Sequence, residues 1–375
     1  MNISLPGFIS TRRKRHNIVG EIPGSFDVTE ASYPSKLFVY AYNDIDLDEL
    51  ETADIKEAIS FINKFADRTF WLDVKGLGTQ EVLDHIQKHF KVNTLVMEDI
   101  VRTHQRPKNE EYDKYLYVVS RMLELDKGLK LKNEQLSFLV FENILISFQE
   151  DYDDVLDAIR NRMRKNVNSN IRNLGPSYLL YALMDTVIDH YFTIVNRLGD
   201  ELEMVEDHLY QKPRKLLMFR IQDVKKAMIS MRRAAWPERD KNNDLLRSNN
   251  TLIHPDVKVF LRDAYDHSIQ IIDLIESMRE TATSLLDLYL SLMSNKMSEV
   301  MKTLTIISAI FIPLTFIVGI YGMNFSYEDP KTGKILENNM PELYMENGYL
   351  YVLGLMFLIV VGQIWYFGRK GWFKE

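Results

Sequence analysis

The sequence predicts an α/β domain joined to a long-helix stalk and two transmembrane helices. Three observations carry that prediction. Short runs of branched and aromatic residues alternate with helical stretches from about residue 20 to 150, apolar residues then recur at helical steps after Pro176, and the final 73 residues hold two long uncharged windows. The 375-residue chain is acidic on average, with 46 Lys and Arg against 53 Asp and Glu, yet nearly all strong charge precedes Lys302. A composition that looks soluble on average therefore conceals a large aqueous part followed by a small membrane part.

Residues 1–20 read as a flexible, solvated basic arm. In MNISLPGFISTRRKRH, the run Arg12, Arg13, Lys14 and Arg15 follows a mildly apolar segment without a continuous apolar core, which argues against a secretory leader. Residues 21–175 read as the α/β domain. KLFVYAYN, TFWLDVKG, YLYVVSRMLEL, LSFLVFE and NILISFQE have strand composition, Glu142 and Asn143 mark a hairpin turn between the last two, and stretches 54–66 and 79–90 are helical.

Residues 176–302 read as a helical and stalk region. SYLLYALMDTVIDHYFTIVNRLGDELEMVEDHL forms one amphipathic helix, and KPRKLLMFRIQDVKKAMISMRRAAW a second, with Pro213 near its start and Pro237 beyond its end. A third helix begins after Pro255. From Leu261 to Met301 apolar residues return at three- and four-residue steps with charges between them, and no clear terminator precedes Asn324. Such a helix runs for roughly 70 residues, about 105 Å at 1.5 Å each, and needs partners.

The first transmembrane helix is expected at 303–325, where no charge occurs from Thr303 through Tyr327. Pro313 lies inside it, which requires neighbouring groups or a small kink to deal with the freed carbonyl. An acidic loop at 326–347 leads to the second transmembrane helix at 348–368, residues 369–375 form a basic tail, and Trp365, Tyr366, Trp372 and Phe373 make an aromatic cluster across the end of the span and the tail. Two spans place the large N-terminal part and the tail on one side. Lys296, Lys302 and the tail are basic, whereas the loop has Glu328, Asp329, Glu337, Glu342 and Glu346 against Lys331 and Lys334. The positive-inside rule then puts both termini in the cytoplasm and the loop outside.

Several functions are disfavoured. No cysteine occurs, so there is no disulfide framework, thiolate nucleophile or Cys-ligated metal. No assembled nucleophile or catalytic metal motif is evident, and the expectation is a protein that is not an enzyme and has no catalytic cofactor. Net acidity without an extended basic surface argues against nucleic-acid binding. His85 and His89 share the four-residue spacing of two zinc ligands on a helical turn, but HExxH is absent and no third ligand is close in sequence.

On the first span, Met301, Leu304, Ser308, Ile312, Thr315 and Gly319 follow steps of three, four, four, three and four and share one helical face. Large apolar positions alternate there with small or hydroxyl-bearing ones, a lining that suits dewetting gates and hydrated ions. The same pattern serves close helix packing or a face toward lipid. Two helices do not enclose an aqueous path, so conduction requires several copies around an axis. Asn324 by itself reads as an ordinary helix terminator, and Asp99 and Asp263 by themselves as surface charges.

YGMNF after a proline-containing span, followed by a short loop, one more span and a basic tail, resembles the CorA family of magnesium transporters. MEDIVRTHQRPK, DVKVFLRDAYDHSIQIIDLIESMRE and SNKMSEVMKTLTIISAIFIPLTFIVGIYGMNF extend the match over most of the chain. The resemblance implies a funnel-shaped homopentamer in a cell inner or plasma membrane, passing Mg2+ passively, with Co2+ as a further ion. Gly322, Met323 and Asn324 are then the selectivity mouth, and the face from Met301 to Gly319 lines the pore. It also implies that Asp99 and Asp263 of adjacent cytoplasmic domains share a regulatory Mg2+, with Glu98 and Asp185 as secondary contributors. Glu328, Asp329 and Glu342 become exterior cation-attracting groups. Met340 to Leu343 match the family's Met-Pro-Glu-Leu-like segment, but extra residues, including Glu328 to Asn339, intervene. Competing functions are Co2+ or Zn2+ transport within the same family and a non-conducting, membrane-anchored cation sensor.

Overall fold

The computed structural model describes residues 24, 26, 28, 32–165, 169–336 and 338–373, so the basic arm at 1–20, Glu337 and the last two tail residues lie outside the described residues. The chain divides into two compact units, Met1–Leu286 and Asp287–Glu375.

The first unit is built on a seven-stranded sheet. Its strands are β1 (Lys36–Tyr42), β2 (Leu47–Thr52), β3 (Thr69–Lys75), β4 (Lys108–Glu111), β5 (Leu116–Leu125), β6 (Leu131–Val140) and β7 (Ile144–Gln149), in spatial order β2-β1-β3-β7-β6-β5-β4. Only β3 and β7 pair in parallel; the rest are antiparallel. The expected turn at Glu142 and Asn143 is present, with Val140 opposite Leu145. Neither edge strand, LDELET nor KNEE, was expected, because charged edges that discourage pairing with another chain lack the usual strand composition.

Helices α1 (Ile55–Lys64), α2 (Gln80–Phe90) and α3 (Thr94–Val101) supply the apolar layer on one face, where Ala58, Leu83, Ile86 and Met97 meet Val39, Leu72 and Ile146. Their starts are set locally. Asp54 Oδ1 accepts from Lys56 N at 2.9 Å to cap α1, and Asn93 Oδ1 accepts from Leu95 N at 2.9 Å to cap α3. Two short helices follow, α4 (Asp157–Lys165) and α5 (Asn170–Asn173).

The long α6 (Gly175–Gln211) lies against β3, β5, β6 and β7, and α7 (Lys215–Arg247) against β4 and β5. Buried polar groups inside the first unit include a paired cluster around Asp73. Asp73 Oδ1 accepts from Ser147 Oγ at 2.6 Å and Gln149 Nε2 at 2.7 Å, while its Oδ2 accepts from Arg160 at 2.7 Å. The expected end of α7 before Pro237 is wrong. Proline cannot donate to Arg233 O, but the following turn is buried and anchored: Lys241 pairs with Glu238 and donates to Ser120 Oγ at 2.6 Å, while Asn242 Nδ2 donates to Ser268 Oγ at 2.9 Å. Tertiary contacts therefore carry the helix past its local breaker.

One buried carboxylate has a testable consequence. Glu134 on β6 has a side chain only 8% exposed, and Lys132 pairs with its Oε1 at 2.5 Å. Burial, opposed by Lys132, raises its pKa from 4.5 to about 7. A raised folded-state value means the stability tied to this group is complete below about pH 4.5 and is lost as pH rises through 7. Glu134→Gln is expected to flatten the stability profile between about pH 5 and 8 and to add roughly 1–2 kcal/mol at the alkaline end, as read by thermal or denaturant unfolding.

The third long helix, α8 (Val257–Tyr321), has 65 residues and contains Pro313; α9 (Gly348–Arg369) has 22. Both are long and apolar enough to cross a membrane. Within the second unit α9 reaches α8 where Gln363 Nε2 donates to Ala309 O at 2.8 Å.

Candidate functional site

Helix α3 presents Glu98 and Asp99 beside a basic neighbourhood. Asp99 Oδ1 accepts from Gln105 Nε2 and its Oδ2 from Lys108 Nζ, both at 2.7 Å. Burial by itself would lower the Lys108 pKa, but hydrogen bonds to Asp99 and Glu110 outweigh it and raise it. Glu98 is tied by Arg102 at 2.7 Å and accepts from Gly24 N at 2.6 Å. Asp99 thus begins partly neutralised, and any ion must compete with an ammonium.

A second group forms between α6 and α8. Asp185, Asp263 and His267 each place a ligand-type atom within 4.8 Å of the others. His267 Nδ1 lies 3.7 Å from Asp185 Oδ1, and neither atom has a hydrogen-bond partner among the described residues. His267 Nε2 is 3.9 Å from Asp263 Oδ1. Asp185 is raised by burial and then by the Asp189 carboxylate. Unpaired buried oxygen and nitrogen with nearby carboxylates fit a cation with oxygen or imidazole ligands. Asp99, engaged by Gln105 and Lys108, is not in this group. In the sequence His267, beside Asp266 and near Asp263, reads as a packing or hydrogen-bonding residue that could tune local charge, because Asp185 is remote; the four-residue step from Asp263 is the available signal for a ligand. His85 instead bonds Glu81 O through Nδ1 at 2.8 Å, and His89 packs edge-on to Phe90.

On α8, Met301, Leu304, Ile312, Thr315 and Gly319 are exposed and Ser308 is half-covered. The positions half-covered in the second unit include Ile306, Ala309, Ile310, Pro313 and Ile317. At about 100° per residue these centre nearly half a turn away from the Met301–Gly319 face. The contact with α9 falls on their side, through Ala309, and the other face stays largely exposed among the described residues.

The helix ends at Tyr321, where Gly322 N donates to Val318 O at 2.8 Å and Met323 N to Ile320 O at 3.1 Å. A Cβ at residue 322 would sit 3.2 Å from Val318 O, so glycine serves the tight approach of the closing turn. Asn324 is exposed, and its side-chain amide has no hydrogen-bond partner among the described residues. Beyond it the chain forms a small hairpin: Glu328 bridges Ile335, Leu336 N donates to Tyr327 O at 2.9 Å, and Asn339 Nδ2 donates to Ser326 O at 2.9 Å. Asp329 accepts from Lys331 N at 2.9 Å and Thr332 Oγ at 2.7 Å, which hold its carboxyl below the usual range. It remains an anion, but its oxygens also build the turn. Glu342 lies in the 3-10 turn Pro341–Tyr344, close to the start of α9.

The sequence matches the family described as CorA-like Mg2+ transporter protein over residues 66–370. A relative from Thermotoga maritima, cobalt/magnesium transport protein CorA, is 38% identical over 335 residues, 89% of this chain and 91% of its own. The protein of the same description from Methanocaldococcus jannaschii is 25% identical over 305 residues, 81% of this chain and 92% of its own. The complete structure of the CorA magnesium transporter from Methanocaldococcus jannaschii superposes with a TM-score of 0.75 at 23% identity, covering 90% of this chain and 98% of that one. That likeness shows the fold.

Proposed function

This chain belongs to the CorA-like Mg2+ transporter family, and from that premise we propose that it carries Mg2+ or Co2+ across a membrane, with Mg2+ as its main cargo. The observation that carries the proposal is the arrangement of the second unit: α9 meets one side of α8 through Gln363 and Ala309, while the opposite, uncharged face runs to an exposed Asn324 whose amide has no partner among the described residues. Several copies, five in the family arrangement, would close these faces around an axis. Met301, Leu304 and Ile312 then form apolar constrictions, and Ser308, Thr315 and Gly319 the wider or hydroxyl-bearing levels between them.

At the mouth, Asn324 offers an amide oxygen to the water shell of the ion. Mg2+ gives up water reluctantly, so a neutral ring that accepts hydrogen bonds from its shell suits entry without tight trapping. Met323 packs there, since a thioether is a poor partner for a hard cation. Glu328, Asp329 and Glu342 raise the local cation concentration through their field. Both termini face the cytoplasm, where Asp99 of one copy and Asp263 of the next, assisted by Glu98 and Asp185, sense internal Mg2+ and favour the closed assembly when occupied.

The direct test is Mg2+ uptake by purified full-length protein in liposomes with low internal Mg2+, with oligomer size measured in parallel. Cation-selective uptake down the gradient, without ATP, is expected. Intact pentamers that pass neither Mg2+ nor Co2+ would leave the non-conducting sensor as the better description, and a Zn2+-only flux would reassign the cargo.

A further inference from the structure

Pro313 has no amide proton for the carbonyl four residues earlier, Ala309 O. That acceptor is nevertheless filled. Gln363 Nε2 of α9 donates to it at 2.8 Å. Gln363 is the only amide side chain in Gly348–Arg369, and a primary amide in an otherwise apolar span is retained at a cost unless it is hydrogen-bonded. Its other end, Oε1, is buried and accepts nothing among the described residues. The nitrogen end is therefore where this residue finds its partner.

The location gives the contact a mechanical role. Ile312 and Thr315 flank the proline on the opposite face, and Thr315 Oγ bonds back to Phe311 O at 3.0 Å and Ile312 O at 2.9 Å. Proline and a back-bonding hydroxyl both weaken the regular ladder, so this turn is where α8 bends most readily. A donor from the neighbouring span fixes one side of that turn.

We propose that Gln363 is a positioning residue for conduction: by filling the acceptor that Pro313 leaves open at Ala309, it ties the second span to the proline turn of the first and sets the course of the helix past Ile312 and Thr315. This rests on the reading that α8 lines the cation path. Gln363 touches no ion in this scheme. Its effect passes through the α8 backbone, and packing between the spans becomes part of the pore's conformation.

A mutant cycle isolates the link. Gln363→Leu is made in the native sequence and in two backgrounds, Pro313→Ala and Pro313→Leu, each of which restores an N–H that reaches Ala309 O within the helix. With full-length protein in liposomes, Gln363→Leu is expected to change Mg2+ flux about 3–10-fold when Pro313 is present and less than about twofold in either replacement background. Thermal dissociation of the detergent-solubilised oligomer gives a readout independent of transport, and Gln363→Leu should lower it only with Pro313 present. Equal effects in all backgrounds, or no effect beside Pro313, overturn the assignment of Gln363 while wild-type flux preserves the transport reading. A wild type that carries no cation overturns both, and the dissociation cycle then reports the pairing of Gln363 with Pro313 apart from transport.

Discussion

Asn324→Ala is expected to reduce Mg2+ flux into liposomes by at least about tenfold with the oligomer preserved. The amide is exposed and lacks a partner among the described residues, so its removal costs the fold within about 0.5 kcal/mol, as at other unengaged surface positions. In the proposed mouth its contribution is to the ion. Each hydrogen bond from a water of the hydrated cation to an amide oxygen is worth roughly 0.5–1.5 kcal/mol net, and a tenfold change needs only about 1.4 kcal/mol. A ring of several copies loses all of these bonds together. Asn324→Asp tests the same mechanism from the other side: a ring of carboxylates should lower the external Mg2+ that half-saturates flux and slow the maximal rate, because release becomes difficult. Unchanged flux and selectivity in the alanine variant, with correct assembly, would remove Asn324 from the mouth.

The parts of the fold that show in the sequence are those where one local signal dominates. Apolar periodicity marks α6 and α8, uncharged length marks the spans, and branched residues mark β1, β3, β5 and β7. What escapes is set by distant partners. Pro237 looks like a terminator until Lys241 and Asn242 are seen anchored to Ser120 and Ser268. Charged edge strands lack strand composition because their role is partly to repel other edges. His267 and Asp185 are 82 positions apart and meet only because α6 and α8 pack together. Gln363 was legible in principle: a proline in one span leaves an acceptor, and a lone amide in the next offers a donor. The Gly-Met-Asn motif is different, since no local physical signal separates Asn324 from a helix cap; its meaning came through resemblance.

Asp99→Asn combined with Asp263→Asn is expected to raise the internal Mg2+ needed for half-inhibition by about tenfold or more, within the range of a coupling of roughly 1–3 kcal/mol. The fold should tolerate the change. Lys108 loses its Asp99 ion pair but keeps Glu110 at 2.6 Å, and Asp263 is 59% exposed. In the proposed sensing scheme the two carboxylates would share an ion between copies: without an ion they would repel, and a divalent cation would both cancel that repulsion and join the subunits. The single variants need not be equal. Asp263 also belongs to the group with Asp185 and His267, whereas Asp99 in the isolated chain is already engaged by Lys108 and Gln105. Asp263→Asn alone is therefore expected to shift the response more than Asp99→Asn alone. The measurement is uptake at saturating external Mg2+ from liposomes preloaded over a range of internal Mg2+. A double variant that assembles normally and keeps the wild-type concentration dependence would exclude this pair as the sensor, while leaving the mouth at Asn324 to be judged on its own flux.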